Sequence, residues 1–139
     1  ELRGKFPETV AVYIGYNNQL AHKIYASADF LMMPSLFEPC GISQMIAQKY
    51  GTLPIVRRTG GLRDTVICYN GENTDVANGF GFDNYSQYDM IRTCLYAFDQ
   101  AGDAKLMKQL KKNAMKLDNS WDNSANQYLA VYKELLERE

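Results

Sequence analysis

Apolar positions change their period several times along the first half of the chain. Thr9 to Gly15 (TVAVYIG) is β-branched and apolar, lies between Pro7 and Gly15, and predicts a strand. From Asn18 to Ser27 the period lengthens: Leu20, Ala21, Ile24 and Tyr25 form a helical stripe, with Asn17 or Asn18 as the N-cap. Asp29 to Met33 reads as a second, buried strand closed by Pro34. Gly41 to Tyr50 is again helical, with Ile42, Met45, Ile46 and Lys49 in phase and Gly51 as the C-cap. Thr52 to Val56 predicts a third strand. Strands alternating with helices through short loops specify an α/β fold, a parallel sheet with flanking helices on both faces.

Beyond Arg63 the alternation weakens. Asp64 to Tyr69 reads as a short strand, and Asn70 to Gly81 as a loop rich in Gly, Asn and Asp. Three helices follow. Tyr85 to Gln100 sets Ile91, Leu95 and Phe98 on one face, and Asp103 to Met115 does the same with Leu106, Leu110 and Ala114. Asp122 to Arg138 carries Tyr128, Val131, Tyr132 and Leu135 at helical spacing, giving a helical C-terminal tail.

Length and composition narrow the classes. The 139 residues make one domain, and 46% hydrophobic with 22% charged residues excludes a disordered or fibrous chain. A formal net charge of −1 leaves no basic field for nucleic acid or an anionic membrane. Apolar runs such as Phe30 to Met33 fall far short of the roughly 20 residues that span a bilayer. Three cysteines (Cys40, Cys68, Cys94) with no metal spacing argue for a reducing cytosol. One histidine, His22, builds no metal site by itself and reads as a packed or hydrogen-bonded side chain. Trp121 and the tyrosines of the last helix read as packing. The chain starts without Met, which fits a piece of a longer protein.

Candidate chemistry gathers where strands end. Pro34 to Gln44 (PSLFEPCGISQ) leaves the C-terminal end of a parallel strand and enters a helix, the rim where open α/β sheets bind ligands. Pro39 holds Glu38 extended, Gly41 permits close backbone approach, and the amides of Gly41, Ile42 and Ser43 face outward with the helix dipole. Such a helix start favours a phosphate. On position alone, Glu38 reads equally as a helix cap. Cys40 as a nucleophile is disfavoured with His22 the only imidazole. Val56 to Leu62 (VRRTGGL) ends another strand; Gly60 and Gly61 permit a tight turn, and Arg57 and Arg58 suit either a phosphate or surface acids. Tyr16 follows the first strand, where an aromatic can stack on a base or lie under a loop.

FEPCG with Gln44, then YGTLPIVRRTGGLRDTV from Tyr50 to Val66, resembles the C-terminal domain of bacterial glycogen synthases and starch synthases. IGYN (Ile14 to Asn17), ADFLMMPS (Ala28 to Ser35), NGFGF (Asn78 to Phe82) and Ser120-Trp121 match in the same order, so nearly the whole chain is covered. The resemblance implies the C-terminal Rossmann-like half of a two-domain GT-B glycosyltransferase. Its expected reaction is retaining transfer of glucose from ADP-glucose to the nonreducing end of an α-1,4-glucan. It implies Glu38 beside the donor glucose, stabilising charge at the anomeric carbon. The backbone of Cys40 and Gly41 would hold the sugar, and the Ile42 and Ser43 amides the distal phosphate. Tyr16 would stack on the base, and Thr59 and Gly60 line the donor pocket. No metal or cofactor is implied.

The resemblance also implies what stands outside these residues: an Arg and a Lys gripping the diphosphate ahead of Glu1, and a whole N-terminal domain. The last helix, from Trp121 onward, would pack on that domain, and the chain alone would be inactive. Eight residues after Glu38 stands Ile46, where the wider retaining group often carries a second glutamate; glycogen and starch synthases commonly lack it. A bacterial cytoplasm is expected in preference to a plastid. The alternative from another class is a non-catalytic nucleotide- or glucan-binding, regulatory domain of the same fold.

Overall fold

A computed structural model describes residues 1–137. Three strands, β1 (Phe30–Met33), β2 (Leu53–Arg57) and β3 (Phe80–Phe82), form a parallel sheet in the order β1-β2-β3. Around it run α1 (Leu2–Lys5), α2 (Asn18–Ser27), α3 (Ser43–Tyr50), α4 (Gly61–Thr65), α5 (Gln87–Gln100), α6 (Ala104–Lys116) and α7 (Trp121–Leu136). The α/β class with a parallel sheet is as expected.

The central strand β2 is a continuous apolar run because both of its faces are covered. Leu53 and Ile55 look one way, into a core with Phe80, Ala97, Leu106, Met107, Leu110 and Ala114. Val56 looks the other way, onto Leu62 and Val66. The register Met33↔Val56 and Arg57↔Phe82 brings the C-terminal ends of all three strands to one rim.

Helix boundaries follow their caps. Asn17 accepts the Leu20 amide at 3.0 Å to start α2. Gly51, with φ +81°, turns the chain out of α3 in a left-handed conformation that glycine adopts without strain. The α6 stripe of Leu106, Leu110 and Ala114 is buried as its spacing predicts.

Other expectations fail for physical reasons. Thr9 to Gly15 forms no strand: Val10 donates to the Phe6 carbonyl in a turn, and Val12, Tyr13 and Ile14 are exposed. β-branched composition favours a pleated, half-buried surface, and no described strand lies beside this segment to supply one. Asp64 to Tyr69 is not a strand. Its first residues complete α4, and only Cys68 makes a single bridge, to Gly79. β3 instead arises within Phe80 to Phe82, at the end of the expected loop.

On α5, Ile91, Leu95 and Phe98 lie exposed, while small Ala97 faces the core. Ala97 shares the core with Phe80, while the centroid of the half-exposed Phe98 ring lies 5.7 Å from that of Phe30 at the core's edge. All the apolar residues of α7 are likewise exposed, Trp121 included, so the packing expected of them is not made among the described residues. The expected end of this helix at Arg138 lies outside the described residues.

Candidate functional site

The loop after β1 (residues 34–42) and the loop after β2 (residues 58–60) leave the same rim and interlock. The Gly61 amide donates to the carbonyls of Glu38 (3.1 Å) and Pro39 (3.2 Å). A Cβ on Gly60 would stand 2.0 Å from the Glu38 carbonyl oxygen, and one on Gly61 2.1 Å from that of Cys40. Gly60 also has φ +45°. The paired glycines are therefore required by contact: the second loop lies against the backbone of the first. Thr59 sits at the turn, its carbonyl accepting the Leu62 amide at 3.1 Å.

Helix α3 begins beside this contact without a side-chain cap; its N-cap position is Ile42. Glu38 does not cap it. Among the described residues no acceptor takes the amides of Gly41, Ile42 and Ser43. An uncapped first turn of an eight-residue helix leaves its donors and the positive end of its dipole free for an anion. Gly41, at φ +74°, makes the turn.

Gln44 explains the shape of that turn. It is fully buried, and its Nε2 donates to the carbonyls of Gly41 (2.8 Å) and Cys40 (3.2 Å) and to Thr65 Oγ1 (3.0 Å). Gln44 thus binds the carbonyls of the turn whose amides find no acceptor among the described residues. Thr65 in turn donates to the Gly61 carbonyl at 2.7 Å, so one network joins α3, α4 and both loops.

The Glu38 carboxylate is half-buried beside Ser35, whose hydroxyl reaches its Oε2 at 3.5 Å. It is not buried in the core, and among the described residues no cation pairs with it. Cys40 is exposed, whereas burial pushes the Cys68 thiol up to about 11. Tyr16 stands just before α2 and is 94% exposed. Both arginines are engaged. Arg58 donates through Nε to Asp83 Oδ1 at 2.9 Å and through Nη2 to its Oδ2 at 2.5 Å, and these hydrogen bonds hold the Asp83 carboxyl below its ordinary value. Arg57 is turned to the backbone of the first loop.

His22 is structural, as expected. Its Nδ1 lies 3.1 Å from the Tyr50 hydroxyl, and its ring meets Tyr25 and Tyr50 edge-on. Among the described residues no three His, Cys, Asp or Glu converge on a metal position, and no helix is long and apolar enough to cross a membrane.

Residues 7–117 match the family described as glycosyl transferases group 1. The chain belongs to that family. As a group 1 glycosyl transferase sequence it is 52% identical over 133 residues to the glycogen synthase of Bacillus anthracis. It is 50% identical over 139 residues to that of Geobacillus thermodenitrificans. It spans 28% of the length of each. Among solved structures it matches the catalytic domain of starch synthase IV from Arabidopsis thaliana, bound to ADP and acarbose, with TM-score 0.83 and 35% identity over 96% of this chain and 28% of that one. Sucrose-phosphate synthase from Thermosynechococcus elongatus shares the fold, at TM-score 0.64 over 99% of this chain and 33% of that one. The chain is thus homologous to part of the glycogen and starch synthases, and the Rossmann-like α/β expectation holds.

Sequence reasoning left Gln44 without a role. Its buried amide is matched on the same helix by Gln48, also buried, so two polar residues face inward from α3 beside Ala47.

Proposed function

We propose that this chain is the donor-binding part of a retaining glucosyltransferase that extends an α-1,4-glucan from ADP-glucose. The observation that carries the reading is the interlocked loop pair, with the half-buried Glu38 carboxylate beside unclaimed amides on an uncapped helix start. The Ile42 and Ser43 amides take the distal phosphate, the Cys40–Gly41 backbone and Glu38 take the glucose, and Thr59 and Gly60 wall the pocket. Tyr16 closes on the base. The starch synthase match, solved with ADP and acarbose, supports a nucleotide and a glucan-like ligand as the two substrates.

In the reaction the anomeric carbon of glucose separates from the diphosphate oxygen and bonds to the 4-hydroxyl at the glucan end. The hydroxyl proton passes to the departing ADP. Amides and helix dipole stabilise charge on the leaving group, and Glu38 the positive charge at the sugar. The rim is open to solvent, with Phe37 and Ile42 exposed, so excluding water requires a surface facing it. A domain opposite this rim, with the exposed α7 packed on it, fits the length of the relatives. The 139 residues alone are expected to bind ADP and to transfer nothing measurable.

A chimera in which this chain replaces the matching segment of the Bacillus anthracis glycogen synthase tests the reading by ADP release with ADP-glucose and glycogen. Glu38→Gln is expected to lower turnover about 10²–10³-fold, the scale of losing one preorganised electrostatic group. Unchanged turnover with the fold intact would favour a non-catalytic binding domain.

A further inference from the structure

Arginines beside a phosphate site are ordinarily read as phosphate ligands. Here the geometry points to a different task for Arg57, the last residue of β2. Its Nη1 donates to the Leu36 carbonyl at 2.6 Å and, at the outer limit of a hydrogen bond, to that of Ser35 at 3.4 Å. Its Nε is buried with no acceptor, and the guanidinium lies 5.6 Å from the Tyr85 ring centroid, within cation–π range. The group faces the loop backbone and is covered by an aromatic ring.

The first loop is therefore fastened at three places. Arg57 holds its near end at Ser35 and Leu36, Gly61 its middle at Glu38 and Pro39, and Gln44 its far end at Cys40 and Gly41. Among the described residues no other donor reaches those two near-end carbonyls. Glu38 belongs to the middle fastening through its backbone, and among the described residues its side chain's hydrogen-bond partner is the Ser35 hydroxyl, next to the carbonyls that Arg57 holds. We infer that Arg57 is a positioning residue: by fixing the backbone of Ser35 and Leu36 it sets where the Glu38 carboxylate stands, and it binds no phosphate itself. A charge-assisted bond from a planar fork to a loop carbonyl suits this task better than an ammonium would. The phosphate-facing amides are held separately, through Gln44.

This inference rests on the proposed role of Glu38 toward the donor sugar, and the test separates the two. The affinities of ADP and ADP-glucose are measured by titration of the 139-residue chain, with amide spectra reporting the fold. Arg57→Met is expected to leave ADP affinity within about twofold and to lose about 3–10-fold of the advantage of ADP-glucose over ADP, the scale of one hydrogen bond. Glu38→Gln is expected to lose the same advantage, and the double variant no more than either single one. Arg57→Lys keeps the charge and one bond and should lose less; it carries the comparison if the Met variant unfolds. A tenfold fall in ADP affinity in both Arg57 variants would make Arg57 a phosphate ligand and overturn the inference. So would an unchanged ADP-glucose advantage, or additive losses in the double variant. A wild-type chain with no preference for ADP-glucose would instead bring down the reading of the site, and the inference with it.

Discussion

Single residues at the rim act through backbone contact more than through charge. Gly61 has its Cα packed against the Cys40 carbonyl, so Gly61→Ala must push the loops apart. A loss of about 1–3 kcal/mol or more is expected from such overpacking, read as a shift of the urea midpoint. Charge matters at Asp83, where hydrogen bonds from Arg58, then its charge, hold the carboxyl below the ordinary range. A carboxylate depressed in the folded state adds stability above its unfolded pKa, about 3.9, and loses it as pH falls through the folded value. Asp83→Asn should therefore weaken the chain at pH 7 and flatten its loss of stability below about pH 4, seen by comparing urea midpoints at pH 7 and pH 3. Both groups are about half exposed, so solvent screens the effect.

Each helix shows whether its ends serve the fold or a ligand. At α6, Asp103 accepts the amides of Lys105 and Leu106 at 2.9 and 3.0 Å, and Ser86 and Ser120 cap α5 and α7 in the same manner. Asp103→Ala should cost about 1 kcal/mol in chemical denaturation. By contrast α3 has no side-chain cap. A helix start left uncapped where α2, α5, α6 and α7 are capped is what the proposed donor site would use for its phosphate. Of these capped ends only that at Asn17 was assigned from sequence; the expected helices from Tyr85, Asp103 and Asp122 began one residue before the cap, at the cap itself and two residues after it. The role of Gln44 was not readable, because it depends on Thr65 being brought beside it from 21 positions away.

Across the whole molecule the described helices divide into those packed about the sheet and two, α1 and α7, whose apolar residues stand exposed. Leu110 is fully buried at the junction of α6 with β2. Leu110→Ala should cost about 2–5 kcal/mol, a large share of the roughly 5–15 kcal/mol that holds a domain folded. Leu135→Ala on α7, where the residue is 55% exposed, should stay within about 0.5 kcal/mol. Thermal or urea unfolding of the two variants side by side checks the contrast.

What the residue order determined was local. Periodicity placed α2, α3, α6, β1 and β2, and Pro39, Gly41 and the paired glycines marked two turns, because a cap, a turn or an amphipathic stripe is written within a few positions. Tertiary structure decided the rest. Whether TVAVYIG pairs, which face of α5 is buried, and whether Arg57 meets a phosphate or a carbonyl all depend on what another segment presents. A strand needs a neighbour, a helix face needs a partner surface, and a guanidinium takes whichever acceptor the fold brings within about 3 Å.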